Sequence, residues 1–174
     1  MNKLILVVIA TASFGLSSAM AGEEKGGFAE VGFGASPLTD VFGTTAGIGL
    51  SVGLGYNFNE YVGLEGEAGI LGLSTGSSYG ISFFSASALG HLPISDRVSL
   101  FGKYGVDEVL VGVSSAGNQS QTFSGTKTLY GGGVEFTAVD KSGIRLGYTH
   151  YDLGVQGLTL TSDYYYFSIV RQFN

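Results

Sequence analysis

The stretch from Ser85 to Val106, SASALGHLPISDRVSLFGKYGV, decides how this chain folds. In its second half, apolar Leu100 and Tyr104 share one face, and Lys103 lies on the other. Because side chains in a strand point alternately to opposite faces, this period of two predicts a strand between two different environments. Residues 92–96, LPISD, separate this strand from a preceding alternating segment, so the whole stretch predicts a β-hairpin.

Two kinds of fold accommodate such a hairpin. A soluble β-sandwich turns its apolar face inward, whereas a membrane barrel turns that face to lipid and its polar face to the lumen. Only 13% of the 174 residues are charged, and 30 are glycine. The charged fraction is about half the usual one, and glycine is well above its usual ~7%. Because no apolar run after the N-terminus approaches the ~20 residues of a membrane helix, the composition favours a barrel.

Alternation of the same kind recurs eight times along the chain and predicts an all-β, eight-stranded, antiparallel up-and-down transmembrane barrel. Three short turns alternate with four longer loops, which places turns at one mouth of the barrel and loops at the other. The predicted strands are 27–35, 46–58, 62–71, 79–92, 98–111 (with a bulge at 107–108), 127–138, 143–151 and 163–173. The predicted turns are 57–61, 93–97 and 139–142, and the predicted loops are 36–45, 72–78, 112–126 and 152–162.

The N-terminus has the features of a secretory signal. Lys3 provides the positive start, residues 4–16 the apolar segment, and Ala19-Met20-Ala21 a small-x-small cleavage pattern. We therefore expect a cleaved signal peptide at 1–21 and one barrel domain at 22–174. An uncleaved N-terminal membrane anchor is the alternative.

With the apolar faces turned to lipid, the charged side chains of the strand interiors line the lumen. They are Glu30, Glu65, Glu67, Lys103, Glu135 and Arg145. Counting along the hairpins places Glu135 between Lys103 and Arg145, so we expect this carboxylate to bridge both bases, as buried charges require partners. An eight-stranded barrel has room only for side chains, which predicts a filled lumen and no diffusion pore. Gating of a small ion path is the alternative.

Aromatic and histidine residues mark the ends of the predicted strands. On the fourth strand, Phe84 is expected to face outward and His91 inward, near the turn. Aromatic girdles at the two membrane interfaces are expected near the turns and near the loops. The predicted turn-side girdle is Tyr56, Phe58 and Tyr61, and the predicted loop-side girdle is Tyr148, Tyr151 and Tyr164.

The chain resembles the family of small eight-stranded outer-membrane barrels that includes the OmpA transmembrane domain, OmpX and OmpW. The stretches that carry the resemblance are LGHLPISDRVSLFGKYG (89–105), YGGGVEF (130–136), IRLGYTHYD (144–152) and YYYFSIVRQF (164–173). The resemblance implies a bacterial outer-membrane location with both termini periplasmic. It also implies that the barrel assembly machinery reads the C-terminal strand. Two residues depart from the family's C-terminal pattern: Asn174 follows the aromatic Phe173, and Arg171 stands where an aromatic or apolar residue is usual.

His150 is the candidate for a catalytic base. Asp152 and either Ser162 or Ser168 are the candidate partners of a Ser-His-acid group near the loop-side rim. Outer-membrane lipid A deacylases, which the arrangement resembles, carry a His-x-Ser pattern, whereas residue 152 here is Asp. We interpret His150 as an interfacial residue and predict no catalytic, cofactor-binding or metal site. His91 lies on a different strand, and two such histidines make a poor metal site.

Composition narrows the remaining chemistry. The absence of cysteine excludes disulfides, a thiol nucleophile and a zinc–thiolate site. The formal net charge of −6 and the scarcity of bases in the loops argue against nucleic acid as a partner. The triplet Gly131-Gly132-Gly133 lacks the helix and lysine of a phosphate loop, so we attribute it to close strand packing.

These observations predict a small outer-membrane barrel, a monomer without enzymatic activity or cofactor. Its role would be structural or one of surface contact, in envelope integrity, adhesion or host interaction. The expected partners are outer-membrane lipid and lipopolysaccharide, the assembly machinery, and a surface receptor contacted through loop tips such as 41–42 and 155–158. The alternatives are an outer-membrane lipid-modifying enzyme and a soluble lipocalin-like binder, whose apolar faces would point inward.

Overall fold

The computed structural model describes residues 25–40, 43–45, 47–73, 79–113, 121–138, 141–152 and 161–173. These residues form ten strands, and no helix capable of crossing a membrane occurs among them. The strands are β1 (Gly26–Ala35), β2 (Leu38–Asp40), β3 (Gly43–Thr45), β4 (Ile48–Asn57), β5 (Val62–Leu73), β6 (Tyr79–Ser95), β7 (Val98–Val113), β8 (Gln121–Thr137), β9 (Ser142–Asp152) and β10 (Thr161–Phe173). The predicted signal peptide at 1–21 lies outside the described residues.

Eight of the strands, β1 and β4 to β10, form a closed antiparallel barrel. Each pairs with its neighbours in chain order, and β1 pairs with β10 from Gly27 opposite Phe173 to Ala35 opposite Tyr165. Closure gives the backbone N–H and C=O groups partners along both sides of every strand, which a lipid environment demands. The predicted eight-stranded up-and-down barrel is confirmed.

The structure differs from the prediction in its loops and in one bulge. Residues 38–45 contain the short β2–β3 hairpin, whose β2 pairs with the start of β10 through Thr39 and Thr161. β8 begins at Gln121 instead of 127, because its backbone continues the ladder to Val113 although its side chains are mostly polar. No bulge occurs at 107–108: both ladders of β7 run through these residues without a shift, since Asp107 faces the lumen and the next residue faces outward.

The two faces of the barrel have inside-out polarity. Leu54 and Phe84 are 67% and 59% exposed on the outer wall, whereas the charged side chains predicted for the lumen are at most 4% exposed. His91 faces inward, as predicted. Earlier on the same strand, Phe83 is fully buried and the adjacent Phe84 faces outward. A soluble lipocalin-like barrel would show the opposite arrangement, so that alternative is wrong.

The interior contains a set of buried charged side chains and two apolar clusters. The larger cluster is formed by Leu71, Ile81, Phe83, Phe101, Val109, Leu129, Tyr151, Tyr164 and Tyr166. The smaller cluster is formed by Phe28, Leu89 and Val170. We call the charged set the ion-pair layer; its members are Glu30, Glu65, Glu67, Lys103, Glu135 and Arg145.

Candidate functional site

Arg145 is the centre of the ion-pair layer. Its Nε and Nη2 donate to Oε2 of Glu135 at 3.0 and 2.9 Å. Its Nη1 donates to Oε2 of Glu30 at 2.7 Å and to Oε2 of Glu65 at 2.8 Å. The guanidinium carbon also lies 4.7 Å from the ring centre of Phe101, within the range of a cation–π interaction. One base therefore contacts three carboxylates and an aromatic ring.

Lys103 forms the second half of the layer. Its Nζ lies 2.8 Å from Oε2 of Glu67 and 3.4 Å from Oε1 of Glu65. Since Glu65 also accepts from Arg145, its carboxylate joins both bases into one network. Networks of this kind are strongly coupled when buried, because the loss of one partner leaves an uncompensated charge.

The predicted bridge from Glu135 to both bases is half correct. Glu135 bonds Arg145, directly opposite on β9, but Lys103 bonds Glu65 and Glu67 instead. The β7–β8 register places Ser99 opposite Glu135 and Gly131 opposite Lys103. On β7, Lys103 therefore lies four residues, or about 13 Å, from Ser99, the residue opposite Glu135. Counting residues from the hairpin did not predict this separation.

His150 lies on the outer wall and not in the lumen, near the loop-side end of β9. Its Nδ1 is 2.7 Å from Oδ1 of Asp163, to which the Tyr148 hydroxyl also donates at 2.9 Å. Its ring stacks on Tyr130 with 5.0 Å between ring centres. The acid partner is therefore Asp163, which the β9–β10 register places directly opposite His150; the sequence pattern alone did not reveal this pair.

The other candidate partners of His150 lie elsewhere. Ser162 is buried and shares a 2.8 Å hydrogen bond with Ser36, and buried Ser168 donates to Glu30 at 3.4 Å. Asp152 lies 3.9 Å from Nζ of Lys127. The structure thus brings none of the predicted nucleophiles to His150, and its contacts are those of a polar group at the membrane interface.

The turn-side aromatic girdle has the predicted orientation. Tyr56, Phe58 and Tyr61 are all exposed at the turn end of the barrel, and the first two rings pack edge to face at 5.5 Å. In the turn, a hydrogen bond to Glu60 and the negative charge of that residue raise the pKa of the Tyr61 hydroxyl. Aromatic rings with a polar tip are typical of the boundary between hydrocarbon and water.

The loop-side girdle was predicted wrongly in part. Tyr151 and Tyr164 are fully buried in the lumen. Strict alternation explains this, because Tyr151 has the same parity as inward Arg145, and Tyr164 the same parity as inward Ser168. Tyr148 shares the outward parity of exposed Ile144 and Leu146, as predicted, and Tyr130 and Tyr165 are exposed on the same outer wall.

The glycine triplet at 131–133 has a packing role. A Cβ atom on Gly133 would meet the carbonyl oxygen of Leu146 on β9 and would lie 2.8 Å from the Cα of Gly147 and 2.9 Å from the ring of Phe101. One on Gly131 would meet the carbonyl oxygen of Tyr148. The interpretation of the triplet as a site of close strand approach is confirmed.

Comparison with known proteins agrees with this geometry. The chain matches the protein family described as "Outer membrane protein beta-barrel domain" over residues 6–173. The comparison with curated proteins finds no match. Among solved structures, Neisserial surface protein A is 14% identical with a TM-score of 0.74, covering 89% of this chain and 100% of its own.

Two further structures share the fold. Ail, the attachment invasion locus protein of Yersinia pestis, is 20% identical with a TM-score of 0.67, covering 86% of this chain and 99% of its own. The N-terminal barrel domain of Pseudomonas aeruginosa OprF is 10% identical with a TM-score of 0.60, covering 86% and 100%. The family match spans nearly the whole sequence, and the barrel has lipid-facing apolar walls around buried charges: the chain belongs to the outer membrane protein β-barrel family.

Proposed function

We propose that this protein is a structural and surface-contact component of the bacterial outer membrane. The observation that carries the proposal is the packed lumen. The side chains of the ion-pair layer and of the two apolar clusters are almost completely buried in the described interior. Their contacts therefore stabilise the barrel and do not line an open channel. What remains available to partners is the outer wall and the loops, in envelope integrity, adhesion or host interaction.

A diffusion pore is not the function that this interior favours. The side chains of the ion-pair layer are almost completely buried, whereas those lining a water-filled channel would be exposed. Planar-bilayer recording tests the point: we expect no sustained open-channel current. A steady conductance from the purified folded protein would contradict the proposal.

A lipid-modifying enzyme is the second candidate, and the His150–Asp163 pair is the observation that favours it. A histidine oriented by a carboxylate is half of a nucleophile-activating group, but the serines predicted to complete it point elsewhere. We therefore propose a non-enzymatic role. Expression in a host with defined lipid A tests it: we expect unchanged lipid A with the parent chain and with His150→Ala. A modification that only the parent produces would establish the enzyme.

The topology that fits this role has both termini in the periplasm and the loops outside. The first and last barrel strands, β1 and β10, are paired neighbours. β1 begins and β10 ends at the mouth of the barrel that carries the short turns. Cleavage of residues 1–21 on export, recognition of β10 by the barrel assembly machinery, and a monomeric state belong to the same proposal. Proteolysis of intact cells tests the orientation, since only the loops should be cut.

Surface contact is proposed through lipid, lipopolysaccharide and the loops. One solved structure of Ail holds the heparin analogue sucrose octasulfate. Polyanion binding is not proposed here, because the net charge is −6 and Lys127, the base nearest the described loop ends, already lies beside Asp152. A fractionation experiment tests the location: the protein should sediment with outer membranes and migrate differently on gels before and after boiling. Adhesion of cells with and without the gene then tests the role.

A further inference from the structure

The ion-pair layer contains more acid than base. Its described members are four glutamates and two bases, Lys103 and Arg145, so its formal charge is −2 when all six groups are ionised. Excess negative charge at the centre of a closed barrel is strongly unfavourable, and either a proton or a bound cation would relieve it. A single divalent cation within the layer would make it formally neutral.

Three of the glutamates place oxygen atoms for such an ion. One carboxylate oxygen from each of Glu30, Glu65 and Glu67 lies within 4.8 Å of the other two. Oxygens this close together can share one hard divalent cation. A site of three carboxylates favours Ca²⁺ over Mg²⁺, because Mg²⁺ keeps several of its waters and usually binds only one or two carboxylates.

The bases leave ligand atoms available. Arg145 occupies Oε2 of Glu30 and Lys103 occupies Oε2 of Glu67, at 2.7 and 2.8 Å. Both oxygens of Glu65 already accept from these two bases. Oε1 of Glu30 and Oε1 of Glu67 are buried and make no hydrogen bond within the described chain. A carboxylate can accept on both oxygens, so the two bases and a further cation can share these groups.

Two tyrosine hydroxyls in the lumen are also unpartnered. The hydroxyl oxygens of Tyr151 and Tyr166 are buried and have no hydrogen-bond partner among the described residues. The Tyr166 ring centre lies 5.3 Å from Nζ of Lys103. Because buried polar atoms are nearly always satisfied, the orphaned oxygens of the glutamates and tyrosines point to a further species in the lumen.

We propose that the lumen binds one divalent cation of the size of Ca²⁺ between Glu30, Glu65 and Glu67. The Tyr151 hydroxyl and water are available for its remaining ligand positions. An all-oxygen ligand set selects hard cations over the transition metals that prefer nitrogen and sulfur. The ion would connect β1 to β5 from inside the barrel. The inference concerns the lumen and is independent of the role proposed for the loops.

Terbium provides the test, because Tb³⁺ enters oxygen sites and emits when a neighbouring tyrosine is excited; the chain has no tryptophan to compete. The whole chain is folded in detergent micelles with Tb³⁺ and then treated with a chelator, which removes ions from the surface. We expect tyrosine-sensitised emission, one retained ion per chain by elemental analysis, and loss of the emission when folding takes place in excess Ca²⁺.

Variants assign the ion to its ligands. Glu67→Gln keeps the shape of the side chain and should reduce retained terbium at least tenfold. The matched control Glu60→Gln removes an exposed carboxylate in a turn and should leave retention unchanged. If Glu67→Gln does not fold, Tyr151→Phe provides the second variant and should weaken the emission. A folded parent chain that retains neither terbium nor calcium, or equal retention in parent and Glu67→Gln, would overturn the proposal.

Discussion

The guanidinium of Arg145 donates to Oε2 of Glu65 at 2.8 Å, although the two residues are 80 positions apart in the sequence. Arg145 belongs to β9 and Glu65 to β5, so this hydrogen bond crosses the lumen and forms only when the barrel has closed. The same guanidinium reaches Glu30 on β1 and Glu135 on β8. A single side chain thus connects four of the eight barrel strands.

Replacement of Arg145 tests how much this connection contributes to the stability of the barrel. Arg145→Met should lower the free energy of unfolding by about 3–5 kcal/mol, because it leaves buried Glu30 and Glu135 without a base and Glu65 with Lys103 alone. Lys127→Met is the control; it removes a half-exposed partner of Asp152 and should cost less than about 1 kcal/mol. Urea unfolding in micelles measures both. Equal losses of stability in the two variants would contradict the prediction, and would mean that water screens the charges inside the lumen.

A pair of double-mutant cycles tests which carboxylate Lys103 uses. Lys103→Met combined with Glu67→Gln should show a coupling energy above about 1 kcal/mol, because the two side chains are in direct contact. The cycle with Glu135→Gln should show a clearly smaller coupling, since no bond joins Lys103 to Glu135 among the described contacts. The reverse ranking would restore the bridge that strand counting predicts.

Two glycine replacements separate close strand packing from simple exposure. Gly133→Ala should destabilise the barrel by about 1–3 kcal/mol, because the added Cβ would meet backbone atoms of β9 that cannot move aside. Gly90→Ala is the matched control, with no heavy atom within 4 Å of the added Cβ. We expect it to stay within about 0.5 kcal/mol of the parent. Thermal unfolding followed by gel mobility resolves the difference.

The C-terminal strand offers a test that separates stability from assembly. Nη1 of Arg171 donates to Oγ of Ser142 at 2.7 Å near the turn end. Arg171→Leu loses this partly buried contact, which should cost no more than about 1 kcal/mol, and gives the strand the apolar residue usual in the resembling barrels. We expect a higher yield of folded protein in outer membranes with little change in unfolding in micelles. A yield that falls in proportion to stability would remove Arg171 from the assembly signal.

Alternation in the sequence was sufficient to predict the architecture. The contrast between Leu100 and Lys103 indicates which face meets lipid, and the order of turns and loops indicates the connections. Period-two patterns are informative here because each face has one environment along its whole length. For the same reason, all six charges of the ion-pair layer could be assigned to the lumen before their partners were known.

Partners across the lumen could not be predicted in the same way. The pairing of Lys103 with Glu67 depends on barrel stagger, which alternation along one strand does not encode. The Asp163 partner of His150 depends on register across a long loop. Tyr151 and Tyr164 are a different case, because strict alternation places both inward and only their residue type suggested the interface. The acid cluster of Glu30, Glu65 and Glu67 joins two strands that are not neighbours, so no local motif announces a metal site.

The β2–β3 hairpin has a practical consequence for engineering. β10 pairs with β1 as far as Ala35 and then with β2. The β2–β3 hairpin therefore lies at the junction between the first and last strands of the barrel. The hydrogen bond between Ser36 and Ser162 fastens the same place. A foreign epitope inserted between β2 and β3 would weaken the strand pairing at the place where the barrel closes. Display sequences should therefore be inserted into another loop.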